Sequence, residues 1–215
     1  MVGIKVDDVY LGIQGVKVYA VHNMAFPSKT SPEAIRTAAI ELLEREGEAA
    51  LTLRRIAGLL GIVPNALYRH YASREVLIAA VADEVARRLL IAINETLDRP
   101  EGGTLLRAED RVRALMNVYA EFSDAHPDLY QTLMTNRSAA EAGLPQPLGH
   151  DQLWLKVIEV IEPLTGRENA PLAAITLWSL LHGMWALKRA NLLGGKKPTE
   201  IGSFSIDALL KGFVM

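Results

Sequence analysis

Between Thr52 and Arg74 the chain carries four arginines, Arg54, Arg55, Arg69 and Arg74, with Asn65, Tyr68 and His70 among them and no Asp or Glu. Cationic and hydroxyl side chains meet phosphates, while Asn and Arg offer paired hydrogen-bonding groups to the edges of adenine and guanine. That chemistry is recognition of a nucleic acid. The whole chain argues weakly against it, since 23 Lys and Arg face 25 Asp and Glu for a net charge of −2. A local stripe is enough, however, when the acids lie on another face. The preceding segment, Glu33 to Glu48, holds five Glu against Arg36 and Arg45.

Such a set needs a scaffold that turns one short helix outward. Two helices crossing steeply require a small residue at the contact, a free turn between them and apolar anchors beneath. Ala57, Gly61, and the group Ile56, Leu60, Ile62 and Leu67 fill those roles, and Thr52 is placed to cap the first helix. A plain helical hairpin would need only part of this coincidence. The spacing therefore predicts a helix-turn-helix whose second helix turns Val63, Pro64, Asn65, Ala66 and Arg69 toward base edges. Tyr68, His70 and Arg74 are placed for flanking phosphates, with Thr52, Arg54 and Arg55 at the edge of the same surface.

The run from Gly47 through Leu51-Thr52, Ile56-Ala57, Gly61-Ile62, Leu67-Tyr68, His70-Tyr71 and Ser73-Arg74 to Leu77 resembles the signature of the TetR family of bacterial transcriptional regulators. Leu60, Val63, Asn65 and Arg74 stand where that family usually has a small residue, Ser, Gly and Lys. Loss of the Ser removes a helix cap, which Pro64 partly offsets by presetting φ in the first turn. The resemblance implies a double-stranded, palindromic DNA operator, and the departures at Val63 and Asn65 leave the operator sequence open.

The flanking helices are legible. Ser31 as cap, Pro32, Glu33, the apolar set Ile35, Ala38, Ala39, Leu42 and Leu43, and Gly47 as stop delimit one helix behind the reading pair. A longer one opens at Ser73 and carries Leu77, Val81, Val85, Leu89 and Ile93 at four-residue steps before Pro100. Its start lies beside DNA and its end in the next domain, so it reads as a lever.

Further on, residues 101–104 break the chain, and Val112, Leu115, Met116, Tyr119 and Phe122 form a helical stripe. His126-Pro127 precedes a short helix to Asn136. A rigid loop is expected over 143–149, then helices near 151–164, from Pro171 to about Leu193, and from Ser205 to Val214. The helix from Pro171 is apolar all round, which predicts cover on every side. Its Trp178, His182, Trp185 and Arg189 share a bulky face, expected inside the domain, with His182 more plausibly bonded to a core partner than to a ligand. Ser179, Gly183, Ala186 and Ala190 share a small face, expected to join Leu209, Leu210 and Phe213 of the last helix in a two-fold seam. A single monomer core is the alternative reading.

Tyr119, Phe122, His126-Pro127, Leu129-Tyr130 and Trp178 with His182-Gly183 resemble the C-terminal domain of a TetR subgroup named for its Trp-His-Gly motif, which implies dimerisation and effector binding. Met116, Tyr119, Phe122, Met134, Trp154, Trp178, His182 and Trp185 would line an apolar pocket for a small hydrophobic or aromatic effector, though aromatic residues at helical spacing also make ordinary core.

The absence of Cys excludes disulfides and thiol chemistry, and His22, His70, His126, His150 and His182 have no metal-ligand spacing, so neither metal nor cofactor is expected. The apolar run Leu172 to Leu187 falls short of about 20 residues and is interrupted by Thr176, Ser179 and His182, which favours a cytoplasmic chain. Residues 1–23 read as an extension, with Met24 as the expected start. The rival is an arm reaching DNA. The sequence thus predicts an all-α protein with a helix-turn-helix domain over 24–78 and an effector and dimerisation domain over 79–215. It is expected to be a homodimeric, ligand-released repressor. A DNA-binding protein without an effector is the main alternative, and an all-helical enzyme built around His182 with Glu121 or Asp124 is the weaker one.

Overall fold

The computed structural model describes residues 31–98, 106–136, 143 and 148–213, so the expectations for the N-terminal extension, Met24, the break at 101–104 and most of the 143–149 loop lie outside the described residues. Among the described residues the regular elements are α-helices and one 3-10 turn, Glu48–Ala50. Helix α1 (Pro32–Glu46) starts as its sequence demands: the Ser31 hydroxyl accepts from the Ala34 amide at 3.1 Å, and Pro32 occupies the first turn. Gly47 closes it, donating its N–H to the Leu43 carbonyl. Ile35, Ala38, Ala39, Leu42 and Leu43 are all buried, each apolar side chain of Leu or Ile size contributing about 1.5–3 kcal/mol.

Helices α2 (Leu53–Leu60) and α3 (Pro64–Tyr68) follow, joined through Gly61. The structural centre is α4 (Arg74–Leu97), whose Leu77, Val81, Val85, Leu89, Ile93 and Leu97 are buried along its length. It packs against α1, α5 (Ala108–Ala125), α6 (Pro127–Thr135) and α7 (Gly149–Arg189), so one helix belongs to both halves of the molecule. A second link joins α1 to the α5–α6 corner, where His126 Nδ1 lies 2.6 Å from Glu44 Oε1.

Several helical boundaries differ from expectation. The helices expected near 151–164 and from Pro171 form one element, α7, interrupted where Gly166 leaves helical geometry at φ 73° and ψ 160°. It ends at Arg189 rather than near Leu193. Helix α8 runs Pro198–Phe213 rather than starting at Ser205, because Pro198 suits a first turn and Glu200 sits near its positive end. By length and composition α7 would suffice to cross a membrane, but the break at Gly166 divides it, and Val157, Val160, Ile161, Ala173, Ala174 and Leu177 are buried in the protein core.

The start of α7 is clamped onto α4. Asp83, only 4% exposed, accepts from the His150 backbone N–H at 3.2 Å and from Arg87 Nη2 at 2.6 Å. Burial alone would raise its carboxyl, but bonds from His150 and the charge of Arg87 outweigh that and hold it below the ordinary carboxylate range. Gly149 lies against the α4 backbone so closely that a Cβ would strike the Asp83 carbonyl oxygen and stand 3.1 Å from the Arg87 nitrogen. Gly149→Ala is therefore expected to lower stability by about 1–3 kcal/mol, read as an earlier urea midpoint. An unshifted midpoint would show that this contact yields freely.

Candidate nucleic-acid interface and the cavities behind it

The turn between α2 and α3 has the geometry that its residues require. Gly61 is left-handed (φ 65°, ψ 38°), its N–H bonds to the Gly58 carbonyl, and the Ile62 N–H returns to Ala57 at 3.0 Å. This double closure is a Schellman ending, inaccessible at little cost to a residue with a Cβ. Thr52 caps α2, its hydroxyl accepting from the Arg55 amide at 3.3 Å, and Ile56, Ala57 and Leu67 are buried beneath the pair while Leu60 and Ile62 are half-buried. Helix α3 begins at Pro64 without a side-chain cap on Val63, as expected from the missing hydroxyl. Tyr71, buried just after it, anchors the segment by donating to the Pro32 carbonyl at 3.1 Å.

The outward side chains divide into free and engaged groups. Val63 is 68% and Tyr68 54% exposed, and Pro64, Asn65, Arg54, Arg69 and His70 are exposed beside them, with Ala66 half-buried. Arg55 is exposed but pairs with Glu46 at 2.5 Å, and bonds from Arg55 and Arg45 hold the Glu46 carboxyl below its usual range. Arg74 departs from its expected place at phosphate. Its Nε donates to the Leu51 carbonyl at 2.7 Å and its Nη2 to the Glu48 carbonyl at 2.9 Å, so it braces the turn before α2 from the first residue of α4. The Leu51 carbonyl, and the Glu48 carbonyl that also accepts the Leu51 N–H, lie within reach of the guanidinium and engage it inside the protein.

Behind this unit lie two cavities. The inner one, about 50 Å³, collects Met116, Tyr119, Met134, Trp154 and Trp178 of the expected lining, and adds His150 and Leu153 at the start of α7. Trp178 donates its Nε1 hydrogen to Met134 Sδ at 3.1 Å. The outer cavity, about 250 Å³, lies between α5, α7 and α8 and takes Trp185 from that set. Phe122 and His182 line neither. Phe122 packs on His126 with ring centroids 5.2 Å apart, and His182 stacks on Trp185 at 5.5 Å. The expected hydrogen bond for His182 does not form among the described residues, where its buried Nδ1 has no partner. His150 escaped the sequence reading because its neighbour Asp83 is distant in the chain, with no spacing to signal the pair.

Residues 35–81 match the family described as bacterial regulatory proteins, tetR family, and residues 112–210 match the tetracyclin repressor-like C-terminal domain. The chain belongs to the TetR family. A helix-turn-helix-type transcriptional regulator of Mycobacterium tuberculosis, Rv0681, itself uncharacterised, is 29% identical over 184 residues, spanning 81% of this chain and 77% of that protein. The nucleoid occlusion factor SlmA of Vibrio campbellii is 32% identical over 112 residues, about half of each chain (51% and 55%). Among solved structures, a protein of unknown function from Rhodococcus sp. RHA1 superposes with a TM-score of 0.68 at 21% identity, covering 90% of this chain and all (100%) of that one. BioQ with its natural double-stranded DNA operator gives 0.62 at 19% identity, covering 86% and 98%. This TetR-family chain is thus a DNA-binding transcriptional regulator.

The outer face of the TetR-family C-terminal half bears on two expectations. The second arm of α7 is not covered on all sides within one chain: Leu172 is 67%, Ile175 50% and Leu187 46% exposed. Ser179, Gly183, Ala186 and Ala190 lie exposed on the same stripe. On α8 the phase turns Ile206 and Leu210 inward, so Leu210 is buried in its own chain, and Leu209 and Phe213 pack half-buried against the same core. The outward apolar residue there is Phe204, 76% exposed, which lay just outside the helix expected from Ser205. For the reading unit, Arg74→Ala is expected to cost about 1–3 kcal/mol of stability through loss of its two bonds to the Leu51 and Glu48 carbonyls, whereas Arg69→Ala stays within about 0.5 kcal/mol. Urea unfolding of both variants checks the difference, and equal midpoints would place Arg74 among the free side chains.

Proposed function

We propose that the protein works as a homodimeric repressor, acting in the cytoplasm, whose two α3 helices enter successive major grooves of a palindromic site and are withdrawn when a small molecule binds the C-terminal half. The observation carrying this reading is the pairing of an exposed reading face, Val63 to His70, with an uncovered apolar stripe on α7 of the same chain. An exposed stripe of that kind belongs to a partner surface. Small residues at Ser179, Gly183, Ala186 and Ala190 let an identical helix approach closely, and two-fold pairing would set the reading helices about 34–36 Å apart. The structural likeness to BioQ, seen with its operator, supports the DNA-bound arrangement.

In this reading Asn65 and Arg69 address base edges, and Tyr68, His70 and Arg54 address phosphates, with Arg55 joining them only by leaving Glu46. Release follows the clamp at the head of α7. His150 lies in the wall of the inner cavity, its backbone is bonded to Asp83, and Asp83 shares Arg87 with Glu84, which faces Arg36 of α1 at 3.9 Å. A ligand that shifts α7 would therefore bias α4 and α1 together by its differential affinity for the two states. The small volume of the inner cavity favours one alternative, a regulator with a filled core and no effector.

Selection of bound fragments from random DNA tests the assignment first, and an absence of any preferred duplex sequence would remove it. Tyr68→Ala is expected to weaken binding to all sequences, and Asn65→Ala to change the preferred base at one position by about 1–3 kcal/mol. Gly183→Arg should yield folded monomers by sedimentation and lose palindrome binding, whereas a dimer that survives this change would move the seam elsewhere.

A further inference from the structure

Val63 opens the reading helix with an apolar side chain that the fold itself does not use. Ile62, just before it, packs against the core, and the extended backbone at Val63 (φ −78°, ψ 141°) sends the next side chain the other way. The isopropyl group is left 68% exposed, neither capping α3 nor joining the apolar core. Its backbone is nonetheless fixed, because the Val63 carbonyl accepts from the Ala66 amide at 3.0 Å. A single exposed valine is ordinary on a protein surface. What distinguishes this one is its position at the N-terminal end of α3, beside the exposed Pro64 and Asn65, where a recognition helix meets base edges.

The edges that base pairs show in the major groove are hydrogen-bonding groups, and the C5 methyl of thymine is the apolar exception. An isopropyl group pressed on a purine edge or on the cytosine amine takes a donor or acceptor out of water and returns no hydrogen bond. Against a methyl it removes apolar surface from water on both sides. A valine at this place therefore discriminates twice, by attraction to thymine and by a penalty against the other bases. Its β-branch leaves the side chain few rotamers, so little freedom is lost on contact.

We propose that Val63 is a specificity-determining residue that reads the C5 methyl of a thymine in each half of the DNA site. This rests on the reading of α3 as the helix that enters the major groove. It assigns a base to a position whose side chain can offer no hydrogen bond, and it complements Asn65, whose amide addresses a neighbouring edge by hydrogen bonding.

The test uses the full-length protein and a duplex selected from random DNA. Each thymine is replaced by deoxyuridine, in both halves of the site together, which removes the methyl and keeps every hydrogen-bonding group of the pair. Affinities are measured at one fixed salt concentration for the native protein, Val63→Ala and Val63→Ser. For the native protein, one symmetry-related pair of thymines is expected to lose about fourfold in affinity per half-site, the factor that one buried methyl-sized group carries. In Val63→Ala the same replacement should change affinity by less than about twofold, because the partner of the methyl is already gone. Val63→Ser should lose the dependence as well, while its hydroxyl supplies a cap to α3 and raises the urea midpoint. A folding defect moves that midpoint the opposite way, so recognition and stability separate. The proposal is overturned if no deoxyuridine weakens binding by the native protein, or if either variant keeps the native dependence on the methyl. Both results leave a preferred duplex and the reading of α3 standing. Absence of any preferred duplex removes that reading and the proposal together.

Discussion

The continuous burial of α4 from Leu77 to Leu97 is the constraint on which the other features hang. It packs against α1, the helix behind the reading pair, and against α5, α6 and α7, with Glu84 facing Arg36 of α1 one residue from the Asp83 that holds α7, all on one unbroken helix. A packed interior responds to displacement as a solid does, with little slack to absorb it. Movement at one end is consequently felt at the other. The polar fastening of Asp83 to the head of α7 adds direction, since a buried carboxylate holding an amide and a guanidinium resists sliding more than an apolar contact does.

The reading unit shows how a small element keeps some side chains free by tying others down. Helix α3 spans only Pro64–Tyr68, too short to be stable alone. It is held by Leu67 beneath it, by the Gly61 turn before it and by Tyr71 bonded to Pro32 after it. Arg74 completes the frame by bonding two backbone carbonyls ahead of α2. Asn65, Tyr68 and Arg69 remain exposed because none of these tasks falls to them.

Elements with local signals were legible in the chain. α1 was bounded by Ser31, Pro32 and Gly47, the turn by Gly61, and α4 by its four-residue stripe, and each follows from chemistry within a few residues. What escaped depended on partners far along the chain. Arg74 looks like a phosphate contact until Leu51 and Glu48 are brought beside it. Leu210 looks like an interface residue until the true start of α8 sets its phase. The cavity lining was half legible, because helical spacing identifies which side chains share a face but not which gaps the facing helices leave. The small residues of α7 were placed correctly on one stripe, but their exposure could be known only from the packing of the opposite side.

That opposite side gives the second arm of α7 two demands at once. Ala173, Ala174 and Leu177 are buried against the core, while Leu172, Ile175 and Leu187 remain open on the outer stripe, so the helix is apolar all round for two separate reasons. Between the two faces, Trp178 and Leu181 reach the inner cavity and Trp185 and Lys188 the outer one. A rotation of this arm that enlarges the cavities must also turn the outer stripe, since both ride on one backbone. A seam built on that stripe would resist such rotation by the apolar area it buries, so under the proposed function subunit pairing and ligand entry would oppose one another. Gly166, where the helix leaves its regular path, separates this second arm from the first arm that Asp83 clamps to α4.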